Sequence, residues 1–315
     1  MQTTAEQLLR AFQRQERQFV EQRFPLEFAA EVPALRELYS QAKAFRWNPA
    51  TDIAWDRFDA SAYPADTRDA ARLTWSRRAW GTYPGLAEST ALLIRLCLES
   101  GARQMDAKLF LSFRPAEEAK HLEACVTLAD RLGGYVPDPG DDATRRAMNH
   151  PFAQMALDRE IPAEAIIAAL GCLDDQLDLN LHRNHLQHAT DETARTVLRL
   201  IAGDKQRHVV FAWTWLGGRV DALDAAGRTV VRDAVSEMLE HVVLRGYRTA
   251  WLLPESPVRA RLLEAEACTA AAGLGASTIV EEQSVVRATV AQVRERLAVW
   301  RIDVPAASHP GLGVV

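Results

Sequence analysis

The chain has 315 residues, 48% hydrophobic and 25% charged, with a formal net charge of −5, enough for one large core or two modest ones. Lys and Arg are spread along the chain and give no basic stripe for nucleic acid. No window approaches the roughly 20 uncharged apolar residues of a membrane span, and MQTTAEQLLRAFQRQERQ lacks an apolar signal core, so a cytoplasmic protein with neither membrane nor nucleic acid as partner is expected. Cys97, Cys125, Cys172 and Cys268 are far apart, show no CxxC spacing and sit in apolar helical contexts, the pattern of inert core thiols in a reducing compartment.

Almost every long segment has a helical period and strand-type alternation is nearly absent, which predicts an all-α fold. In chain order, helices are expected over Thr4–Gln22 and Pro33–Phe45, followed by a loop, RWNPATDIAWDRFDASAYPADT, pinned to the core by Trp47 and Trp55. A helix starting near Pro84 carries Glu88. The next starts after Gly101 and runs to Gly133-Gly134, with Pro115 as a kink or restart. Residues 136–150 form the clearest break, and helices resume over Pro162–His188, Thr190–Gly217, Leu223–Leu253, Pro257–Gly273 and Ala276–Trp300. Residues 1–303 are read as one domain with its bundle core near 84–217, and 304–315 as a flexible tail.

AEEAKHL at 116–122 returns 87 positions later as GDKQRHV at 203–209. The repeat is larger than this pair: Glu88, Glu118 and His121 have counterparts at the same offset in Asp175, Lys205 and His208. Residues i and i+3 of a helix share a face about 4.5 Å apart along the axis, so a carboxylate and an imidazole in that slot can reach one metal ion. Four packed helices would turn Glu88, Glu118, His121, Asp175 and His208 toward a shared centre. Carboxylates with one His per metal suit iron or manganese, and Glu117 and Asp204 are placed to hold the histidines as an outer layer.

With EEAKH at 117–121, GARQMDAKLFLSFRPAEEAKH leading into it, DETARTVLRLIAGDKQRH at 191–208 and NPATDIAWD at 48–56, the chain resembles the ferritin-like di-iron carboxylate superfamily over roughly residues 46–215. The resemblance is to its oxygenase and ribonucleotide-reductase-small-subunit branch. It implies a four-helix bundle core with additional N- and C-terminal helices. It also implies two iron ions, with one as the smaller count and manganese as the other metal, and dioxygen oxidising a small organic substrate. Electrons would come from a reductase or ferredoxin. Paired apolar helix faces suit a homodimer.

Two positions depart from the family pattern. Asp175 stands where a glutamate is usual, with Asp174 and Asp178 as substitutes, and Lys205 stands at a glutamate ligand position, where it becomes the candidate catalytic residue that tunes or displaces the second metal. Three arrangements follow: a weakly held second metal, a single metal at Glu88, Glu118 and His121 with the ammonium in place of its partner, or an ion-paired core without metal. The last makes the chain a metal-poor binding or partner scaffold. Rival groups are the run His182, His185 and His188, expected on a solvated face, and the surface-type set Glu237, Glu240 and His241. Phe211, one turn from His208, is a candidate pocket wall, and Cys172 lies one turn from Asp175.

Overall fold

The computed structural model describes residues 26, 28–100 and 103–315, so the expected helix Thr4–Gln22 lies outside the described residues. The all-α expectation holds. Helices α1 (Pro33–Ala44), α2 (Ala65–Thr82), α3 (Pro84–Ser100), α4 (Met105–Leu111) and α5 (Arg114–Arg131) make the first half. The short α6 (Asp142–Met148) and α7 (Phe152–Leu157) occupy the central break. The second half has α8 (Ala163–Ile167), a π-helical segment Ala168–Asp174, α9 (Asp175–His188), α10 (Glu192–Gly217), α11 (Ala225–His241), α12 (Pro257–Ala271) and α13 (Ile279–Ala298). Among the described residues the only strands are the antiparallel pair Ser308–His309 and Gly313–Val314.

Local chemistry explains the boundaries. Pro115 falls in the first turn of α5, where a missing N–H costs nothing, so the proline restarts the helix. Asp191 caps α10 by accepting from the Ala194 amide, and Thr278 and Glu281 form a reciprocal capping box at α13. The α3, α5, α8–α9 and α10 helices form the central bundle, with α2 packed on α5 and α12 on the far side of α2, α11 beside the π segment, and α13 beside α9 and the π segment.

Three expectations need correction. The sequence pattern assigns no helix to 65–82, yet α2 is one of the most enclosed elements. It buries Trp75 and also Thr74, Ser76 and Arg77, so it has no single apolar stripe to betray it. The helix expected to reach Leu253 stops at His241: Gly246 adopts φ 91°, and the chain turns back to bury Tyr247 and Trp251 and send Arg248 inward. The tail 304–315 is packed, with Val304, Ala307 and Leu312 buried and Ala307 paired to Val315 through both backbone bonds.

The histidine run is a fourth correction. Its expected solvated face is in fact buried at His182 and His185, because α13 packs on α9 there and the side chains of Arg78 from α2 and Glu266 from α12 reach the same small cavity. His185 Nδ1 faces Arg78 Nη2 at 3.1 Å and its Nε2 faces Glu282 Oε1 at 2.9 Å, which assigns the proton to Nε2 and keeps the ring neutral. Burial first, then Arg78, hold its pKa well below the ordinary value. Only His188 of the three is exposed, paired with Glu281 at 3.1 Å. His241 and Glu237 lie on the surface 3.5 Å apart.

The π segment sets the distance between α10 and the chain leading into α9. A Cβ on Gly171 would lie 2.3 Å from the Cβ of Ala212, so only glycine permits this approach. π turns inside α-helices recur at functional sites, and this one ends at the aspartates described below. Alanine in place of a helical glycine ordinarily gains about 1 kcal/mol, which the overlap at 171 outweighs. Gly171→Ala is expected to lose about 1–3 kcal/mol in urea denaturation, and adding Ala212→Gly should recover most of it.

Glu266 and Glu282 close the same buried cluster. Burial pushes both carboxyls up to about 7, against the pull of Arg77. The unfolded chain releases the Glu266 proton near 4.5 and the folded chain keeps it to about 7, so this contribution to stability is complete below 4.5 and lost as pH rises through 7. Glu266→Gln has no proton to lose. Relative to wild type it should gain stability on the order of 2 kcal/mol between pH 4.5 and 8 in urea titrations; an offset independent of pH would contradict the buried, protonated carboxyl.

Candidate metal centre

Helices α5 and α10 carry the two repeated motifs into one buried space. Glu118, His121, Lys205 and His208 are all less than 4% exposed. His121 Nε2 lies 3.0 Å from Asp204 Oδ2, and His208 Nε2 lies 2.8 Å from Glu117 Oε2. Each imidazole is thus held by the acid of the opposite motif. A carboxylate only accepts, so both Nε2 atoms carry protons and both Nδ1 atoms turn inward. They meet the two oxygens of one side chain: His121 Nδ1 is 3.3 Å from Glu118 Oε2, and His208 Nδ1 is 3.5 Å from Glu118 Oε1. His208 Nδ1 is buried without a hydrogen-bond partner.

An outer layer fixes the acids. Trp47 Nε1 donates to Asp204 Oδ2 at 2.9 Å and its ring stacks on His121. Arg207 bridges Glu117, at 2.7 Å, and Asp204, while Lys120 adds a contact to Asp204 at 3.4 Å. Burial alone would depress His121; Asp204 and Glu118 outweigh it and raise the ring's pKa. Phe110 meets His208 edge-on and stacks on Phe211 with centroids 4.9 Å apart, so Phe110 walls the centre and Phe211 backs it from the core.

Lys205 comes from the same helix and points at the same glutamate. Its Nζ donates to Glu118 Oε1 at 2.9 Å and lies 3.0 Å from Asp178 Oδ2 and 3.5 Å from Asp175 Oδ1. Burial opposes the charge, but these carboxylates raise the amine's pKa further above the ordinary lysine value. Glu118 in turn is held well below the usual range: Lys205 foremost, then His121 and His208, overcome its burial. The three neighbouring aspartates share a small set of cations. Asp175 Oδ2 accepts from Arg114 at 2.9 Å, Asp174 takes Arg248, and Asp178 lies between Lys205, Arg248 and His182. Glu118, Asp175 and His208 offer ligand atoms within 4.8 Å of one another.

Glu88 lies outside that set. Its Oε1 is buried without a hydrogen bond, 3.3 Å from His150 Nε2. Burial, then Asp174, push its carboxyl up to about 8, while burial and Arg248 push His150 down to about 4, so the pair is neutral. One turn earlier on α3, Gly85 leaves room for Glu118; a Cβ there would lie 2.9 Å from the Glu118 carboxyl carbon. Arg114, Arg248 and His150 were not among the residues nominated from the sequence as metal-site members, and Asp178 was named only as a substitute for Asp175. Arg114 could have been found one turn before Glu118, but Arg248 and His150 come from irregular segments with no periodic signal. A cavity of about 40 Å³, lined by Arg78, His182, Tyr247 and Glu282, reaches Asp178 and Arg248, room for a few waters. Cys172 is buried and its thiol pushed up by burial, consistent with an inert core thiol.

No family model matches the sequence, and no curated protein matches it. Solved structures do match in fold. An R2-like ligand-binding oxidase with an aerobically reconstituted metal cofactor after photoconversion superposes with a TM-score of 0.65 at 16% identity, over 84% of this chain and 93% of that one. An R2-like ligand-binding oxidase with an aerobically reconstituted Mn/Fe cofactor gives 0.63 at 16% identity, over 85% and 92%. The chain thus has the ferritin-like helical fold of the R2-like ligand-binding oxidases.

Proposed function

We propose that the chain is a non-haem metal-dependent oxidase or oxygenase that uses dioxygen to oxidise a small organic molecule. The observation that carries this reading is the pair of buried imidazoles, anchored at Nε2 by Asp204 and Glu117, that present Nδ1 to opposite oxygens of Glu118. Such a frame matches what a metal needs from its ligands, a fixed tautomer and a fixed ring. Glu88, Glu118, His121, Asp175 and His208 are the residues that would hold it, and this oxygen and nitrogen set suits iron or manganese. The Mn/Fe cofactor named for a structural neighbour points the same way.

The bound metal supplies the redox chemistry by which dioxygen is reduced, with electrons from a reductase or ferredoxin-type donor. The protein's own residues do the rest. Glu117 and Asp204 fix the imidazoles, Phe110 and Phe211 exclude water on one side, and Lys205 holds a proton beside Glu118 Oε1. The ion-paired set of Lys205, Arg114 and Arg248 favours a second reading, a metal-poor scaffold serving as a binding or partner subunit.

Elemental analysis of the chain purified from iron- and manganese-supplemented cells, before and after anaerobic loading with ferrous iron, separates the two. At least about one metal per chain is expected, with loss of roughly tenfold or more in affinity in Glu118→Ala and His121→Ala and no loss in His188→Ala. Loaded protein should consume dioxygen when supplied with a reductant. Equal metal content in all variants would remove these residues from the site, and absence of metal would leave the scaffold reading.

A further inference from the structure

We infer that the Lys205 ammonium stands in the place of a second metal ion, so that each chain holds no more than one divalent cation. This rests on the metal-dependent reading above. The frame around Glu118 is two-sided. Its Oε2 faces His121 on the side assigned to Glu88, and its Oε1 faces His208, Asp175 and the lysine. On the Oε1 side the amine lies against three carboxylate oxygens, at 2.9, 3.0 and 3.5 Å. One of these contacts is a hydrogen bond, to Glu118 Oε1, and the other two are ion pairs, a surrounding of carboxylates that favours the charged amine.

That ammonium contacts both carboxylates of the group Glu118, Asp175 and His208 that would receive a second ion. Asp175 is further committed to Arg114 through its other oxygen. A divalent ion placed there would meet a buried positive charge at contact distance, with no water to screen it.

Charge balance agrees. Five carboxylates, Glu88, Glu118, Asp174, Asp175 and Asp178, are enclosed with three fixed cations, Arg114, Lys205 and Arg248. The outer acids Glu117 and Asp204 are matched by Arg207 and Lys120. With Glu88 protonated, four ionised carboxylates face three cations, a shortfall of one positive charge that two divalent ions would far exceed. The Oε2 side keeps two donors out of the lysine's reach, His121 Nδ1 and Glu118 Oε2, which lie 3.3 Å apart.

Anaerobic loading of the full chain with Mn(II), read by elemental analysis and electron paramagnetic resonance, tests this. Wild type should hold about one manganese with the spectrum of an isolated Mn(II). Lys205→Glu, which restores a carboxylate and removes the ammonium, should hold about two with an exchange-coupled spectrum. Two coupled ions in wild type, or a folded Lys205→Glu that stays at one, would overturn the assignment and leave the metal-dependent reading standing. If Lys205→Glu does not fold, the wild-type stoichiometry and spectrum alone decide. Absence of manganese in both forms would overturn that reading and this assignment together.

Discussion

A buried ammonium enclosed by Glu118, Asp178 and Asp175 is the interaction from which the rest of the centre follows. Taking each of these ions out of water costs several kcal/mol. The cost is offset because Lys205 donates to Glu118 and is ion-paired with both aspartates, and because each of these aspartates has a second partner of opposite charge. Arg114 takes the free oxygen of Asp175, and Arg248 serves Asp174 and Asp178. No member can be discharged alone without stranding another, so the network stands or falls as a unit.

The fold serves this network by bringing side chains from distant segments to one depth. The π segment and Gly171 let α10 approach close enough for Lys205 to reach the aspartates. Gly85 makes the matching space on α3 for Glu118. The reversal at Gly246 turns a strand of chain that would otherwise extend α11 into the source of Arg248, whose guanidinium also donates to the Gly81 carbonyl on α2 at 3.1 Å. Charge, helix geometry and glycine placement are therefore one problem at this site.

Much of this was legible in the sequence and some was not, for identifiable reasons. The 87-residue offset named Glu118, Asp175, Lys205 and His208, which do meet, because helical spacing within a motif is a local property that survives any packing. Helix α2 escaped notice because it is buried on several sides with polar residues whose partners lie far along the chain. Thr74 meets Thr269, and Arg77 donates to the Gly246 and Arg248 carbonyls. The run of His182 and His185 was misplaced for the same reason: its polarity suggested solvent, whereas Asp178 and Glu282 supply partners that sequence spacing only partly reveals.

The crossed anchoring of the histidines has a consequence for how this sequence can change. Within each motif the acid beside the slot does not serve the motif's own imidazole. Glu117 serves His208, 91 positions away, and Asp204 serves His121, 83 positions away. Neither half of the repeat is a self-sufficient module, and a duplicated or transplanted half would arrive with its ring unheld. Drift at 117 is felt at 208, and drift at 204 is felt at 121. The two halves of this chain are bound to a common history by hydrogen bonds that run between them.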